Sequence, residues 1–207
     1  MLRYFSSNQD EDCTLSPNPL IVTGKQFSSR FLNSWTNLIK ALDPSWEWFF
    51  INGYVPNIFF NRQALLERAK MLRPTHYMWI DSDQVFSWNN FIKLVEHNVP
   101  IVSGLYHRSF GFDGSGPKDK FAGALLGGAT IRDKDIKNRK GLMEVHANGM
   151  GFMLVQRQVF DLVENPFYSN NPDTWEDFSF AEKARAKGFK SYVDPEIIVG
   201  HEKMVVI

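Results

Sequence analysis

Apolar positions along this chain follow two rhythms that alternate. Leu20-Ile21-Val22 is an unbroken apolar run ending in Thr23-Gly24, and it predicts a strand buried on both faces. Behind it, Phe27, Phe31, Trp35, Leu38, Ile39 and Leu42 recur at helical spacing up to Asp43-Pro44, which predicts an amphipathic helix. Trp46 to Ile51 is strand-like again and stops at Asn52-Gly53. Asn61 to Leu72 is helical by the spacing of Leu65, Leu66, Ala69 and Leu72, and it stops before Pro74. Tyr77-Met78-Trp79-Ile80 then runs straight into Asp81-Ser82-Asp83. Ser87 caps a helix carrying Phe91, Leu94 and Val95, and Ile101 to Gly104 is a further strand. This repeated strand–helix alternation predicts an α/β fold with a mostly parallel central sheet flanked by helices.

The rhythm breaks over 107–141, which holds seven glycines and the basic cluster Lys137-Asn138-Arg139-Lys140. A long functional loop is expected there, with Ala122 to Thr130 a candidate element whose Ala124-Leu125-Leu126 pairs in the sheet as a small additional antiparallel piece. Order returns with Leu142 to Val145, the turn Asn148-Gly149-Met150-Gly151 and an apolar run from Phe152 to Val155. A short helix through Val159, Phe160, Leu162 and Val163 follows, then a longer one from Trp175 to about Lys187 capped by Thr174. Ser191 to Val193 and Ile197 to Val199 are two late strands, the second leading into Gly200-His201. Residues 1–19 are polar, contain Pro17 and Pro19, and read as irregular. With no internal repeat and no linker, the expectation is one domain over residues 1–207.

Composition narrows the function classes. Lys+Arg and Asp+Glu are both 23 in 207 residues, a balance that argues against non-specific nucleic-acid binding, so no nucleic-acid partner is expected. The single Cys13 excludes an intrachain disulfide and a cysteine zinc cluster. No run approaches about 18 consecutive apolar residues, so no membrane span is expected. Asn8 to Asp12 are polar where a secretory signal would be apolar, which leads to the expectation of a cytoplasmic protein. No P-loop, dinucleotide fingerprint, nucleophile elbow or His-Glu-x-x-His spacing is present.

The chemistry-bearing candidates are few. Asp81 and Asp83, at i and i+2 after a buried strand, fall on one face if the strand continues and can converge on an oxygen-loving cation; a solvated, capping turn is the plainer alternative. His201 follows the last strand and can offer a neutral imidazole, although an isolated late histidine is more often without a role. Glu176-Asp177 opens a helix, where the dipole keeps a carboxylate ionised and where a general base can sit; the same position has a purely structural explanation. Gly149 and Gly151 let backbone approach a ligand or make a tight turn. Arg62 can hold phosphate or base, and Trp88, Tyr106, Phe110 and Trp175 can stack on sugars or pack.

The order of these segments is more specific than any one of them. The apolar strand into Asp81-Ser82-Asp83, then Ile101 to Tyr106, Asn148 to Leu154, Trp175-Glu176-Asp177-Phe178-Ser179-Phe180, Gly188-Phe189, Val193-Asp194-Pro195 and Gly200-His201 together resemble the GT-A glycosyltransferases, close to the family-two type. The resemblance covers residues 20 to about 203. It implies a metal-dependent, inverting transfer from a nucleoside-diphosphate sugar, UDP- or GDP-linked, to a glycan or other hydroxyl acceptor. On that resemblance Asp83 binds Mn²⁺ or Mg²⁺ with His201 completing the site, and Asp81 assists or contacts the ribose. Asp177 is the base. Thr23, Arg62, Asp81 and Ser82 contact the donor, and Gly149, Met150, Gly151, Trp175 and Glu176 shape the acceptor or sugar site. Arg108 and the glycines after it would order over the donor. Two departures stand out: the first strand leads into Thr23-Gly24-Lys25 rather than Pro-Thr, and Asn61-Arg62 reverses the usual Arg-Asn. The rival readings are a sugar nucleotidyltransferase, which lacks here a glycine-rich basic first loop, and a non-catalytic nucleotide-sugar or carbohydrate-binding domain. Hydrolysis by paired carboxylates is weaker, because Asp81 and Asp83 are too close in sequence to flank a sugar.

Overall fold

The computed structural model describes residues 18–108, 120–168 and 175–202. Its elements, in chain order, are β1 (Asn18–Thr23), α1 (Ser29–Ala41), β2 (Trp48–Gly53), α2 (Ile58–Lys70), β3 (His76–Asp81), β4 (Gln84–Val85), α3 (Trp88–Glu96), β5 (Ile101–Leu105), β6 (Lys120–Ala124), β7 (Thr130–Arg132), α4 (Asp133–Ile136), β8 (Met143–Val145), β9 (Ala147–Asn148), β10 (Phe152–Gln156), α5 (Arg157–Leu162), α6 (Glu176–Ala186), β11 (Ser191–Ile198) and β12 (Gly200–His201). Seven strands form the central sheet in the order β2-β1-β3-β10-β5-β11-β8. Five of them run in one direction, and β10 and β8 run against them. The fold is α/β with a mainly parallel sheet, and two small antiparallel sheets, β7-β6-β9 and β12-β4, stand beside it.

Alternation along each strand explains the layers. Leu20 and Val22 of β1, Met78 and Ile80 of β3, and Val102 of β5 point toward α1 and α3, where they meet Phe31, Leu38, Phe91 and Leu94. Ile21, Tyr77 and Trp79 point the other way, onto Leu65, Leu66 and Ala69 of α2, Phe160 of α5 and Phe180 of α6. Because both faces are covered, the strands read as continuous apolar runs. Ser28, Asn57 and Ser87 cap α1, α2 and α3 by accepting a hydrogen bond from a backbone N–H of the first turn.

Three expectations change. The 107–141 stretch is not a plain loop: within its described part lie β6, β7 and α4. Ala124 pairs with Thr130 and Ala147 in the small sheet rather than in the central one, and Leu126 is exposed. The two late strands are one, β11, which passes through Asp194-Pro195 with a register shift against β5. The side chain of Asp194 holds that irregularity by accepting from the Glu196 N–H and meeting His97 Nε2 at 2.8 Å. Cys13, Phe110 and Thr174 lie outside the described residues, and α6 begins after Trp175. Among the described residues no helix is long and apolar enough to cross a membrane.

Candidate active site

The carboxyl ends of β1 and β3 lie side by side, with Thr23 in register with Asp81. The Thr23 hydroxyl donates to the Asp81 carboxylate, and the Ser82 N–H donates to the Thr23 carbonyl at 2.9 Å. This close approach explains Gly24, whose φ is +146° and where a Cβ would fall 1.8 Å from Ser82 Oγ. A cleft of about 240 Å³ opens here, lined by Thr23, Gly24, Tyr54, Asn61, Asp81 and Asp83 among others. A larger hollow of about 650 Å³ between α1 and α3 is bordered by Trp88 but by none of the other predicted residues.

Arg62 lies behind the cleft rather than in it. Its side chain is only 4% exposed, and Nη2 donates to both Asp81 oxygens at 3.1 and 3.2 Å. Nη1 stands 3.5 Å from Glu176 Oε1, at the head of α6. Burial disfavours the guanidinium charge, but Asp81, Glu176 and Asp177 outweigh it and hold the cation firmly protonated. Arg62 thus forms a clamp that joins β3 to α6, and Glu176, itself buried, is the other jaw.

Asp177 follows on the same helix end, with Oδ1 accepting from the Phe178 N–H at 2.8 Å. The sequence suggests a carboxylate kept ionised by the helix terminus. Instead burial, reinforced by the neighbouring charge of Glu176, raises its pKa to about 7 against the opposing pull of Arg62. The helix terminus is the weaker influence because burial withholds solvent from the carboxylate, and the charge of Glu176 adds to that.

Asp83 takes a different partner from Asp81. β3 ends at Asp81, so the strand geometry that would align the two side chains does not reach Asp83. The short β4–β12 ladder instead brings His201 opposite Gln84, and His201 Nε2 lies 3.1 Å from Asp83 Oδ2. His201 Nδ1 donates to the His107 carbonyl at 2.9 Å, which leaves Nε2 facing the carboxylate with its lone pair. Two acceptors at that distance repel unless a proton or a cation lies between them. Burial works against a charged imidazole, but the Asp83 bond and charge, with the His107 carbonyl, raise the His201 pKa overall. Asp83 Oδ1 is buried and has no hydrogen-bond partner among the described residues. That orphaned oxygen and the outward-facing imidazole suit a divalent cation in donor type. No three His, Cys, Asp or Glu side chains among the described residues are gathered closely enough to hold one alone.

The glycine turn serves an internal group. Gly151 N–H donates to the Tyr106 hydroxyl at 3.1 Å, and a Cβ on Gly149 would fall 2.0 Å from that oxygen. The Tyr106 ring also meets His201 edge-on at 5.3 Å, so one phenol ties β5 to the turn before β10 and to β12. Met150, read from sequence as a sugar-site residue, is fully buried in the core against the α2 and α6 side. It cannot touch an acceptor; its flanking glycines present backbone only. Trp175 is 69% exposed at the head of α6. Sequence reasoning singled out Tyr106 only as a stacking candidate and passed over Gln84, fully buried beside Asp83, and Tyr54, with Lys25 Nζ 5.6 Å above its ring. Only the aromatic character of Tyr54 after a predicted strand hinted at a ligand platform.

No family model matches the sequence, and no curated protein matches it. Solved structures do. A197 from STIV superposes with a TM-score of 0.59 at 12% identity, covering 92% of this chain and 96% of that one. GalNAc-T7, crystallised with UDP, GalNAc and Mn²⁺, superposes with a TM-score of 0.56 at 15% identity over 93% of this chain. This chain spans 44% of the GalNAc-T7 chain, less than half its length. At such identities the likeness is one of architecture, and the chain has a GT-A-like fold.

Proposed function

We propose that this chain is an inverting glycosyltransferase of the family-two kind, moving a sugar from a UDP- or GDP-linked donor to the hydroxyl of a glycan or similar acceptor. The observation that carries the reading is Asp177, a carboxyl whose pKa burial raises to about 7 and which feels the charge of Asp81, a residue of the cleft lining. A base of that strength is half ionised near neutral pH and still takes a proton readily. Asp177 removes the proton of the acceptor hydroxyl as that oxygen bonds to the anomeric carbon. The bond from that carbon to the diphosphate breaks on the opposite face, and the nucleoside diphosphate leaves with the electron pair.

Thr23, Ser82 and the Tyr54 ring line the side of the cleft where the base and ribose fit. Trp175 offers an exposed indole to the acceptor, and the backbone of Gly149 and Gly151 closes the floor under Tyr106. Asp83 and His201 would hold Mn²⁺ or Mg²⁺, with Asp81 nearby. When bound, such an ion neutralises charge growing on the departing diphosphate. The Arg62 clamp fixes the angle between the Asp81 carboxylate and the head of α6, which is the positioning that such a transfer needs.

Incubation with Mn²⁺ and a panel of UDP- and GDP-sugars plus hydroxyl acceptors should release free nucleoside diphosphate, and Asp177→Asn should lower that release by at least about a thousandfold. Release by wild type should climb as pH rises through about 7 and then level off, because Asp177 must lose its proton first. An Asp177→Asn protein that transfers at the wild-type rate would sink the assignment.

A further inference from the structure

Among the described residues, three consecutive exposed aromatic side chains lie at one edge of the central sheet. Among the described residues β2 is a terminal strand, paired to β1 alone, and its sequence Trp48-Phe49-Phe50-Ile51-Asn52-Gly53 contains no charge and no proline. Trp48, Phe49 and Phe50 are 37%, 47% and 43% exposed. Phe50 leans on Trp35 of α1 with ring centroids 5.0 Å apart, and exposed Leu32 lies one turn away on that helix. Phe49 shares the opposite face with Ile51, on the side of α2, where Phe60 is exposed. The apolar surface therefore wraps both sides of an open strand edge. Monomeric proteins normally blunt such an edge with lysine, proline or a bulge.

We propose that two copies of this chain join their β2 edges, antiparallel across a two-fold axis, into one continuous sheet. The axis passes through Phe49, so Phe49 faces its own copy, Trp48 faces Phe50 of the second copy, and Glu47 faces Ile51. Aromatic pairs meet and no like charges do. The same axis sets α1 beside α1 and α2 beside α2, so Leu32 joins Trp48 and Phe50 on one face and Phe60 joins Phe49 on the other. Large side chains of this kind each carry about 150–250 Å². With about half of that exposed on these residues, each copy offers roughly 450 Å² from side chains alone. The pair reaches the roughly 1,000 Å² expected of a specific contact once the strand backbones are added.

A second copy fits better than a lipid surface. Lipid would accept the rings but would leave the outward N–H and C=O groups of β2 unpaired, whereas a second β2 pairs them. The chain's net charge of zero gives no attraction to anionic headgroups either. The pairing is independent of how the cleft is read.

Sedimentation equilibrium of the full chain should give twice the monomer mass of 23.9 kDa, dissociating on dilution. Phe49→Lys sets two ammonium groups opposite each other on the axis and should weaken the pair by about a hundredfold or more, with an unchanged far-UV spectrum. Phe49→Val should leave it paired. Outward amides of β2 should exchange slowly with deuterium in the wild-type dimer and rapidly in Phe49→Lys. A wild type that stays monomeric at high micromolar concentration overturns the proposal. So does a dimer that Phe49→Lys leaves intact, a monomer whose β2 amides are protected, or a monomer that co-sediments with phosphatidylcholine vesicles.

Discussion

Three carboxylates, those of Asp81, Glu176 and Asp177, act electrostatically on one buried guanidinium. Arg62 bonds the first and pairs with the second, while the third, Asp177, keeps its proton to about pH 7 chiefly because it is buried, with the charge of Glu176 adding to that. In the unfolded chain an aspartic acid ionises near pH 4, so between roughly pH 4 and 7 the folded state holds a proton that the unfolded state has lost. Stability falls as pH rises through that window. Asp177→Asn removes the dependence and should stabilise the protein at pH 8 by on the order of 2 kcal/mol in urea unfolding, even as it abolishes transfer. Equal stability of the two proteins at pH 8 would mean that the fold does not raise the pKa of this carboxyl. Arg62→Met acts in the opposite direction. It strands Asp81 and Glu176 without their cation and should cost about 3–5 kcal/mol, part of which returns when Glu176→Gln is added.

At the scale of elements, the turn 148–151 and β5 are built around one phenol. Gly149→Ala drives a methyl into Tyr106, which is hemmed in by β10, His201 and Ala122. It should destabilise by about 1–3 kcal/mol in denaturant unfolding. Tyr106→Phe in the same chain should recover part of that loss, because the oxygen that the methyl strikes is gone; strictly additive effects would show that the glycine answers to something else. The runs that became β1, β3, β5 and β10 were legible because strands covered on both faces are continuously apolar. Direction was not, since a run such as Phe152 to Val155 reads the same whether it lies parallel or antiparallel. The small antiparallel piece was expected and β6 was partly legible in the candidate element Ala122 to Thr130, but β7 and β9 were missed because strands of two or three residues are too short for a period, and their pairing is decided by partners elsewhere in the chain. The acidic spacing at 81–83 was visible, but the division of labour within it was not. Asp81 is claimed by Arg62 from α2, and Asp83 by a histidine 118 residues later. Gln84 left no local mark, and Tyr106 was marked only as an aromatic ring, as each matters through what folds against it.

Across the whole molecule, the cleft and its surroundings are assembled from β1, α2, β3, the head of α6 and β12, so almost the full length of the chain must be folded before the groups meet. A ligand that needs them together binds the folded state and not the unfolded one, and it stabilises by RT ln(1 + [L]/Kd), about 2.7 kcal/mol at a hundredfold excess over Kd. For a chain of this size each kcal/mol raises the melting midpoint by about 2–4 °C, so Mn²⁺ with UDP or GDP should raise it by about 5–10 °C. On the proposed reading Mn²⁺ alone should do less, because Asp83 and His201 would supply only two ligands and the diphosphate would supply others. Chelation with EDTA should return the midpoint to that of the nucleotide alone. If Asp83 is a metal ligand as proposed, Asp83→Asn should abolish the Mn²⁺-dependent part of the shift, while leaving the smaller effect of nucleotide in the cleft. An Asp83→Asn protein that still gains the full shift would place the ion elsewhere. A wild type indifferent to Mn²⁺ in the presence of either nucleotide would leave the Asp83–His201 pair as a proton-sharing strut between β4 and β12, and the cleft without its metal.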